Sequence, residues 1–295
     1  MLLVIIQLAP MFVKTVKHVY YSFTEPQMRV GVVTIKESLF DSTAYVRQCK
    51  NFFEDKEIKA LLLRIDCIGG SAGAAQALFN EIKELKKIHL KPVVVWIQNI
   101  CTSGGYYVAC IGDHLITTPS ACIGSIGVYI QQPKFKQFIE QFKASYSVIS
   151  AGEYKTINNP LLDTTTAQKN LLQDMVDDTY EQFIQDVTES RPQLKINAAT
   201  TWANGKLFTG RQALALGLVD ELGSQITVER AIKQKAPFEG DIEWVFPHKK
   251  TGLLQLFTGP KDDDEDTNNS EHSYISSAIT SMCNYVYTKA LTLTT

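Results

Sequence analysis

Apolar runs rich in β-branched residues alternate with helical stretches in the first part of the chain, and this alternation restricts the fold most. Three runs, RVGVVTI, ALLLRID and PVVVWI, begin at Arg29, Ala60 and Pro92. Continuous apolar runs of this kind predict buried strands. The stretch from Ala72 to Lys87 has helical spacing and strong helix formers. Strands that alternate with helices predict an α/β fold with a parallel sheet and crossover helices.

The same pattern extends to about residue 236. The elements expected after the third run are strands over 114–119 and 145–150 and helices over 166–190, 209–217 and 227–235. In parallel sheets, ligands collect beyond the carboxyl ends of the strands. Two glycine pairs, Gly69-Gly70 and Gly104-Gly105, follow predicted strands at that edge. We therefore expect the chemistry of this protein at these two loops.

Composition divides the chain into a segment 1–28, a globular domain 29–236 and an extension 237–295. The apolar stretch MLLVIIQLAPMFV is shorter than the roughly 18 residues that cross a bilayer. Its lysines follow the apolar run, whereas a signal peptide needs them before it. It is expected either to lie in a membrane interface or to pack on protein. Five consecutive acids, Asp262 to Asp266, predict a solvated, flexible extension.

Charge and cysteine usage exclude several classes of function. The net charge of −2 gives no basic face for nucleic acid. Six cysteines form no C-x-x-C pair and are interpreted as reduced thiols in a cytosol-like setting. Five histidines are scattered without zinc-ligand spacing, so no metal site is expected.

The stretch CTSGGYYVAC carries the main candidate, Ser103, between a predicted strand and a short predicted helix. Amides at the start of a helix favour negative charge, and such amides can hold the oxyanion of an acyl-transfer intermediate. The loop at Gly69-Gly70 can supply a second donor. Serine and glycine are also ordinary turn residues, so the motif alone equally fits a tight turn.

A nucleophilic serine needs a base, and none of the histidines has an acidic partner nearby in sequence. Lys155 is the candidate, because it falls in a loop between Gly152 and Pro160 and a desolvated lysine can be neutral. Ser125, between two glycines, can orient the lysine by a hydrogen bond. The alternatives are a solvated surface lysine and a turn serine.

In this order the motifs resemble the signal peptide peptidase A (protease IV) family of S49 serine peptidases. The matching residues are Ser103 in TSGGYYVA, Ser125 in IGSIGV and Lys155 in GEYK, the last two lying 22 and 52 residues after Ser103. The stretch FTGRQALALGLVDELGS resembles the C-terminal signature of the family. The resemblance covers about residues 29–236.

The resemblance implies a ClpP/crotonase-like fold of repeated β-β-α units and a serine endopeptidase with a Ser-Lys dyad. It implies that Ser103 attacks, Lys155 takes the proton, Ser125 holds Lys155, and the amides of Gly70 and Gly104 bind the oxyanion. It implies no metal or cofactor, and a homo-oligomer whose sites combine residues of neighbouring subunits. The implied substrates are cleaved signal peptides or other unfolded, apolar peptides. A bacterial-type protein in the cytoplasm or at a membrane surface is expected.

One departure leaves other functions open. Asp66-Cys67-Ile68 stands where the family has Asn-Ser-Pro, which puts the oxyanion loop in doubt. The second hypothesis is therefore a catalytically weak or inactive peptide-binding relative. The third is a crotonase-type acyl-CoA enzyme, which shares the sheet and the paired oxyanion amides and would not require Ser103 or Lys155.

Overall fold

A computed structural model of the chain describes residues 27–194, 199–238 and 240–247. The expectations for the apolar N-terminal stretch and for the acidic C-terminal stretch fall outside the described residues. Within the described ranges, no helix combines the length and the apolar character that crossing a bilayer demands. The division at residues 28 and 236 remains a prediction.

Strands and helices alternate as the sequence predicts. The strands are β1 (Gln27–Leu39), β2 (Ile58–Gly70), β3 (Val93–Thr102), β4 (His114–Thr117), β5 (Cys122–Gly124), β6 (Leu207–Thr209), β7 (Glu221–Leu222) and β8 (Asp241–Val245). The helices are α1 (Thr43–Glu54), α2 (Ala72–His89), α3 (Gly104–Ala109), α4 (Lys136–Gln141), α5 (Thr166–Ser190), α6 (Ala199–Trp202), α7 (Gly210–Leu216) and α8 (Gln225–Lys235).

These strands form one mixed sheet in the order β6-β5-β3-β2-β1-β8, with β4 also on β3 and β7 on β4. Every described pair is parallel except β5 with β6. Helices α1 and α2 connect parallel neighbours, which is the crossover arrangement. The predicted α/β fold with a parallel sheet and crossover helices is confirmed.

Both faces of the sheet are buried, which explains why its strands are continuously apolar. Along β1, Val33 and Ile35 join the larger core cluster together with Phe53, on α1. Val30 and Val32 point to the opposite face and belong to a second cluster with residues of α8. Successive strand side chains alternate between faces, so a strand that is covered on both sides needs apolar residues at every position.

The prediction of a strand over 145–150 is wrong. This stretch forms no strand, and Ile149 is fully exposed to solvent. An alternating pattern becomes a strand only when a neighbouring edge accepts its hydrogen bonds, and here no described strand pairs with it. The predicted helix 166–190 is confirmed as α5, which begins at a capping box between Thr165 and Gln168. Gly217 ends α7 with φ 83°, as predicted.

Candidate active site

Ser103 occupies a sharp turn between β3 and α3. Its φ of 51° and ψ of −124° lie in a region that residues with a Cβ rarely adopt, and its side chain is half-buried. The Ser103 amide donates to the Gly124 carbonyl oxygen at 2.8 Å, and the Ser103 carbonyl accepts from the Tyr107 amide at 3.0 Å. These bonds fix the turn from both sides. A strained strand–turn–helix of this kind presents a serine side chain above the sheet edge.

The glycine loop at the end of β2 lies directly against Ser103. Gly69 and Gly70 have φ of 113° and 152°, conformations that favour glycine. A Cβ added to Gly69 would lie 2.7 Å from the Ser103 Cβ, and one added to Gly104 would lie 3.5 Å from the Gly70 nitrogen. The structure thus brings Ser103, Gly70 and Gly104 together, with both glycine backbones beside the serine.

Two contacts link the loop of Ser103 to the glycine loop. The Thr102 hydroxyl donates to the Ile68 carbonyl oxygen at 2.9 Å. Cys67 faces Cys101 across the parallel strands, and both thiols are buried. Burial raises the pKa of each of these thiols, so both stay protonated near neutral pH and pack as small apolar groups. The loop of Ser103 and the glycine loop are therefore joined by a hydrogen bond and by buried packing.

Ser125 stands next to Ser103 on the neighbouring strand. It follows β5, is half-buried, and has φ 50°. Its amide donates to the Lys206 carbonyl oxygen at 2.7 Å, which anchors the turn to the segment before β6. Ser125 lines the same cleft as Ser103. The structure therefore brings both predicted serines to one site.

Both serines open into a cleft of about 910 Å³. Its larger apolar side chains come from several elements: Phe40, Ile68, Tyr107, Val128, Tyr129, Val176, Tyr180 and Phe183. Helix α5 forms one wall, and the segment Ala203–Gly205 forms another. In the described part of the chain, no group of three His, Cys, Asp or Glu side chains is arranged to hold a metal ion. A cleft of this size and lining suits an extended, largely apolar ligand.

Lys155 lies elsewhere on the surface. It is exposed, in a series of turns over residues 151–158, where its amide donates to the Gly152 carbonyl oxygen at 3.1 Å. It is not among the described residues that line the cleft. Within a single chain, the structure therefore does not bring Lys155 to Ser103.

The departure at Asp66-Cys67-Ile68 has a simple structural outcome. The Asp66 side chain is exposed and accepts a hydrogen bond from Asn99 Nδ2 at 3.2 Å. It is not one of the described residues lining the cleft, whereas Ile68 lines it with 57% of its surface exposed. The Asn99 side-chain amide thus hydrogen-bonds to the Asp66 carboxylate outside the cleft. The side chain that this segment contributes to the cleft is the apolar Ile68.

Sequence reasoning missed the contribution of α5. Phe183 stacks on Tyr107 with ring centroids 4.4 Å apart, and the Tyr107 hydroxyl donates to Asp186 at 2.5 Å. Tyr180 donates to the Ala203 carbonyl oxygen. Residues 173, 176, 180 and 183 recur at helical spacing, which identifies a helix face. Helical spacing alone does not show which other element of the fold this helix face packs against.

One known protein family matches most of the sequence that forms this site. The model of peptidase family S49 matches residues 85–238, which is more than half of the chain and includes Ser103, Ser125 and Lys155. The chain belongs to peptidase family S49. The expected family is therefore confirmed, and Gly70 lies before the matched range.

Several S49-like relatives carry protease names. A protein of Methanocaldococcus jannaschii, named as an unverified protease, is 32% identical over 66% of this chain and 62% of its own length. A protein of Synechocystis with the same kind of name is 36% identical over 58% of this chain and 61% of its own. Protease 4 of Haemophilus influenzae is 28% identical over 66% of this chain and 33% of its own. The chain thus spans about three fifths of the length of the first two relatives.

Proposed function

We propose that this S49 member is a serine endopeptidase in which Ser103 is the nucleophile and Lys155 of a neighbouring subunit is the base. The observation that carries the proposal is the strained turn at Ser103, with the backbones of Gly70 and Gly104 beside it in an open cleft. A nucleophile flanked by backbone donors is the arrangement that acyl transfer requires.

The reaction proceeds in two halves. Ser103 Oγ attacks the peptide carbonyl carbon while its proton passes to the neutral Lys155 amine, and the oxyanion accepts hydrogen bonds from the Gly70 and Gly104 amides. The C–N bond breaks as the Lys155 ammonium protonates the leaving amine. Water then attacks the acyl-enzyme with Lys155 again as base, which releases the carboxylate product and restores Ser103. The Ser103 amide already donates to Gly124, so the second donor is the Gly104 amide at the start of α3.

An exposed apolar segment supports the proposed role of Lys155 at a subunit contact. The segment 129–155, here called the arm, carries many exposed apolar side chains: Tyr129, Ile130, Phe135, Phe138, Phe142, Tyr146, Val148, Ile149 and Tyr154. Large exposed apolar patches are rare on monomers and mark interaction sites. Packing of the arm on a second copy would bury this surface and deliver Lys155 to that copy's Ser103. Burial away from water favours the neutral form of an amine.

The lining of the cleft supports the proposed substrate class, which is cleaved signal peptides or other unfolded, apolar peptides. Ile68 and Phe40 are 57% and 70% exposed at the cleft, and an apolar substrate side chain would cover them. Glycine backbones at 69 and 70 allow a substrate main chain to approach closely. Such substrates arise at membranes, so the proposed location is the cytoplasm or membrane surface of a bacterial-type cell.

Subunit mixing tests the proposal. Ser103→Ala and Lys155→Ala should each abolish hydrolysis of an apolar fluorogenic peptide, with unchanged circular dichroism. Co-refolding the two variants in equal amounts should restore roughly a quarter of wild-type activity, since a head-to-tail ring with random neighbours regains one complete site in four. Lys143→Ala, on the same arm and also exposed, is the matched control and should stay active. Activity in either single variant, or a mixture that stays inactive while size-exclusion scattering shows mixed oligomers, would contradict the proposal.

One observation favours a second candidate, a non-catalytic peptide-binding protein: the exposed Lys155 outside the cleft. That protein would bind the apolar peptide, measured by fluorescence anisotropy, with the same affinity in wild type and Ser103→Ala, and would release no cleavage product by mass spectrometry.

A further inference from the structure

A single charged side chain, that of Asp177, is found among the described residues that line the cleft. All other described lining residues are apolar, glycine, or neutral polar. Asp177 is exposed, and within the described ranges no lysine, arginine or histidine forms an ion pair with it. Gln173 Nε2, one turn earlier, donates to Asp177 Oδ1 at 2.7 Å. A neutral amide orients the carboxylate and leaves its charge uncompensated.

The position of Asp177 along the cleft follows from α5. Phe183 stacks on Tyr107, which lies in α3 just after Ser103, and Tyr180 is bonded to the opposite wall at Ala203. These two contacts hold the helix in place. Asp177 lies six residues before Phe183, or about 9 Å along the helix at 1.5 Å per residue. A peptide that lies extended along α5 advances about 3.3 Å per residue, so its residue about three positions from the one over Tyr107 would face Asp177.

We infer that Asp177 is a specificity-determining residue, which binds the lysine or arginine side chain of a peptide whose other residues in the cleft are apolar. The inference rests on the proposed peptidase function. A carboxylate attracts a cationic side chain and repels an acidic one, and no described lining residue offers the opposite preference. The preferred substrate is therefore an apolar peptide with one basic residue about three positions from the residue over Tyr107.

The neighbouring acids of α5 differ in their surroundings. Asp178 accepts a hydrogen bond from Gln182 at 2.8 Å and is not among the described cleft residues. Asp186 and Glu189 both contact Lys83. Asp178 is therefore a matched control, one residue away on the same helix, with the same charge and an exposed side chain.

The experiment uses the full chain and a set of otherwise identical apolar peptides that carry lysine, norleucine or glutamate at each position in turn. Wild type should cleave the best lysine peptide with kcat/KM about two- to fivefold above its norleucine counterpart, which is the upper part of the range for an exposed ion pair. Asp177→Asn should reduce this ratio to about one, Asp177→Lys should favour glutamate, and Asp178→Asn should keep the wild-type ratio. Binding of the same peptides to Ser103→Ala and to Ser103→Ala/Asp177→Asn, by anisotropy, gives a readout without cleavage.

The outcomes separate the two proposals. If wild type cuts none of the peptides but the Ser103→Ala background still prefers lysine through Asp177, the peptidase proposal fails and the cation subsite remains. If wild type cuts lysine and norleucine peptides equally at every position, the subsite is overturned and the peptidase proposal remains. An equal loss by Asp177→Asn on every peptide also overturns the subsite, because it assigns Asp177 a structural role.

Discussion

Ser103 and Ser125 hold equivalent positions on neighbouring parallel strands. Thr102 pairs with Gly124 at the ends of β3 and β5, and each serine follows directly. Their φ angles are 51° and 50°. Paired strands lie about 4.8 Å apart, so two strained turns present two hydroxyl-bearing residues side by side at the edge of the sheet.

Ser125 is expected to act through its hydroxyl, and two substitutions test this. Ser125→Ala and Ser125→Gly both remove the hydroxyl, and both should lower kcat/KM about tenfold or more, since each would remove the hydrogen bond proposed to orient the Lys155 amine. The two differ in backbone effect, because glycine adopts φ 50° more readily than alanine. Urea unfolding should therefore show Ser125→Gly to be at least as stable as Ser125→Ala. An active alanine variant beside an inactive glycine variant would refute a role for the hydroxyl.

Thr102→Val should impair activity more than it impairs folding. Valine keeps the shape of threonine but removes the hydrogen bond to the Ile68 carbonyl, at a cost of about 1–3 kcal/mol in the free energy of unfolding. The glycine loop would also lose a link to Ser103, so kcat should fall with KM little changed. Thr117→Val is the matched control, since the buried Thr117 hydroxyl donates to the Ile97 carbonyl at 3.0 Å. Equal kcat losses in both variants would contradict a specific role for Thr102.

The ion pair of buried Arg191 with half-buried Asp220 should make stability depend on pH. Arg191 donates two hydrogen bonds to Asp220, at 2.8 and 2.7 Å. Burial alone would raise the pKa of Asp220, but the hydrogen bonds and the charge of Arg191 outweigh it and lower that pKa. A depressed carboxyl pKa stabilises the fold above the unfolded value of about 3.9, and this contribution is lost as pH falls below about 4. Asp220→Asn should cost about 3 kcal/mol at pH 7, because it leaves the buried Arg191 guanidinium without an opposite charge.

Urea unfolding at pH 7 and at pH 3 measures this effect. The difference in unfolding free energy between wild type and Asp220→Asn should narrow at the lower pH, because the unfolded wild-type chain takes up a proton at this carboxyl more readily than the folded chain does. Asp163→Asn is the control, because Asp163 pairs with Lys136 on the exposed surface and should leave stability nearly unchanged. A difference that stays constant from pH 7 to pH 3 would show that the charge of Asp220 is not the cause.

The sequence alone is sufficient to predict the sheet and the part of the candidate site formed by the loops after β2 and β3. Strands such as β2 are recognisable because burial on both faces demands apolar residues throughout. Parallel strands end at the same edge, so the glycine pair after β2 is expected beside Ser103, and Gly69 does lie against Ser103. The stretch 145–150 is misleading because a strand also needs a free edge to pair with. The sequence does not predict that Asp177 lines the cleft, because helical periodicity identifies a helix face but not the element that the face packs against. The proposed role of Lys155 requires a second chain, which one sequence does not specify.

A matched pair of glycine substitutions tests how closely α3 packs on the glycine loop. A Cβ at Gly105 would lie 2.8 Å from the Cys67 carbonyl oxygen and 3.2 Å from the Cys67 sulfur, so Gly105→Ala must displace α3. The overpacking should cost about 1–3 kcal/mol in urea unfolding and reduce kcat, because Ser103 immediately precedes α3. Gly73, on α2, would meet only the Ser71 hydroxyl, at 3.9 Å. Gly73→Ala should therefore gain about 0.5–1 kcal/mol from helix propensity with activity unchanged. If Gly105→Ala kept wild-type stability and kcat, the close packing of α3 on the glycine loop would not be required.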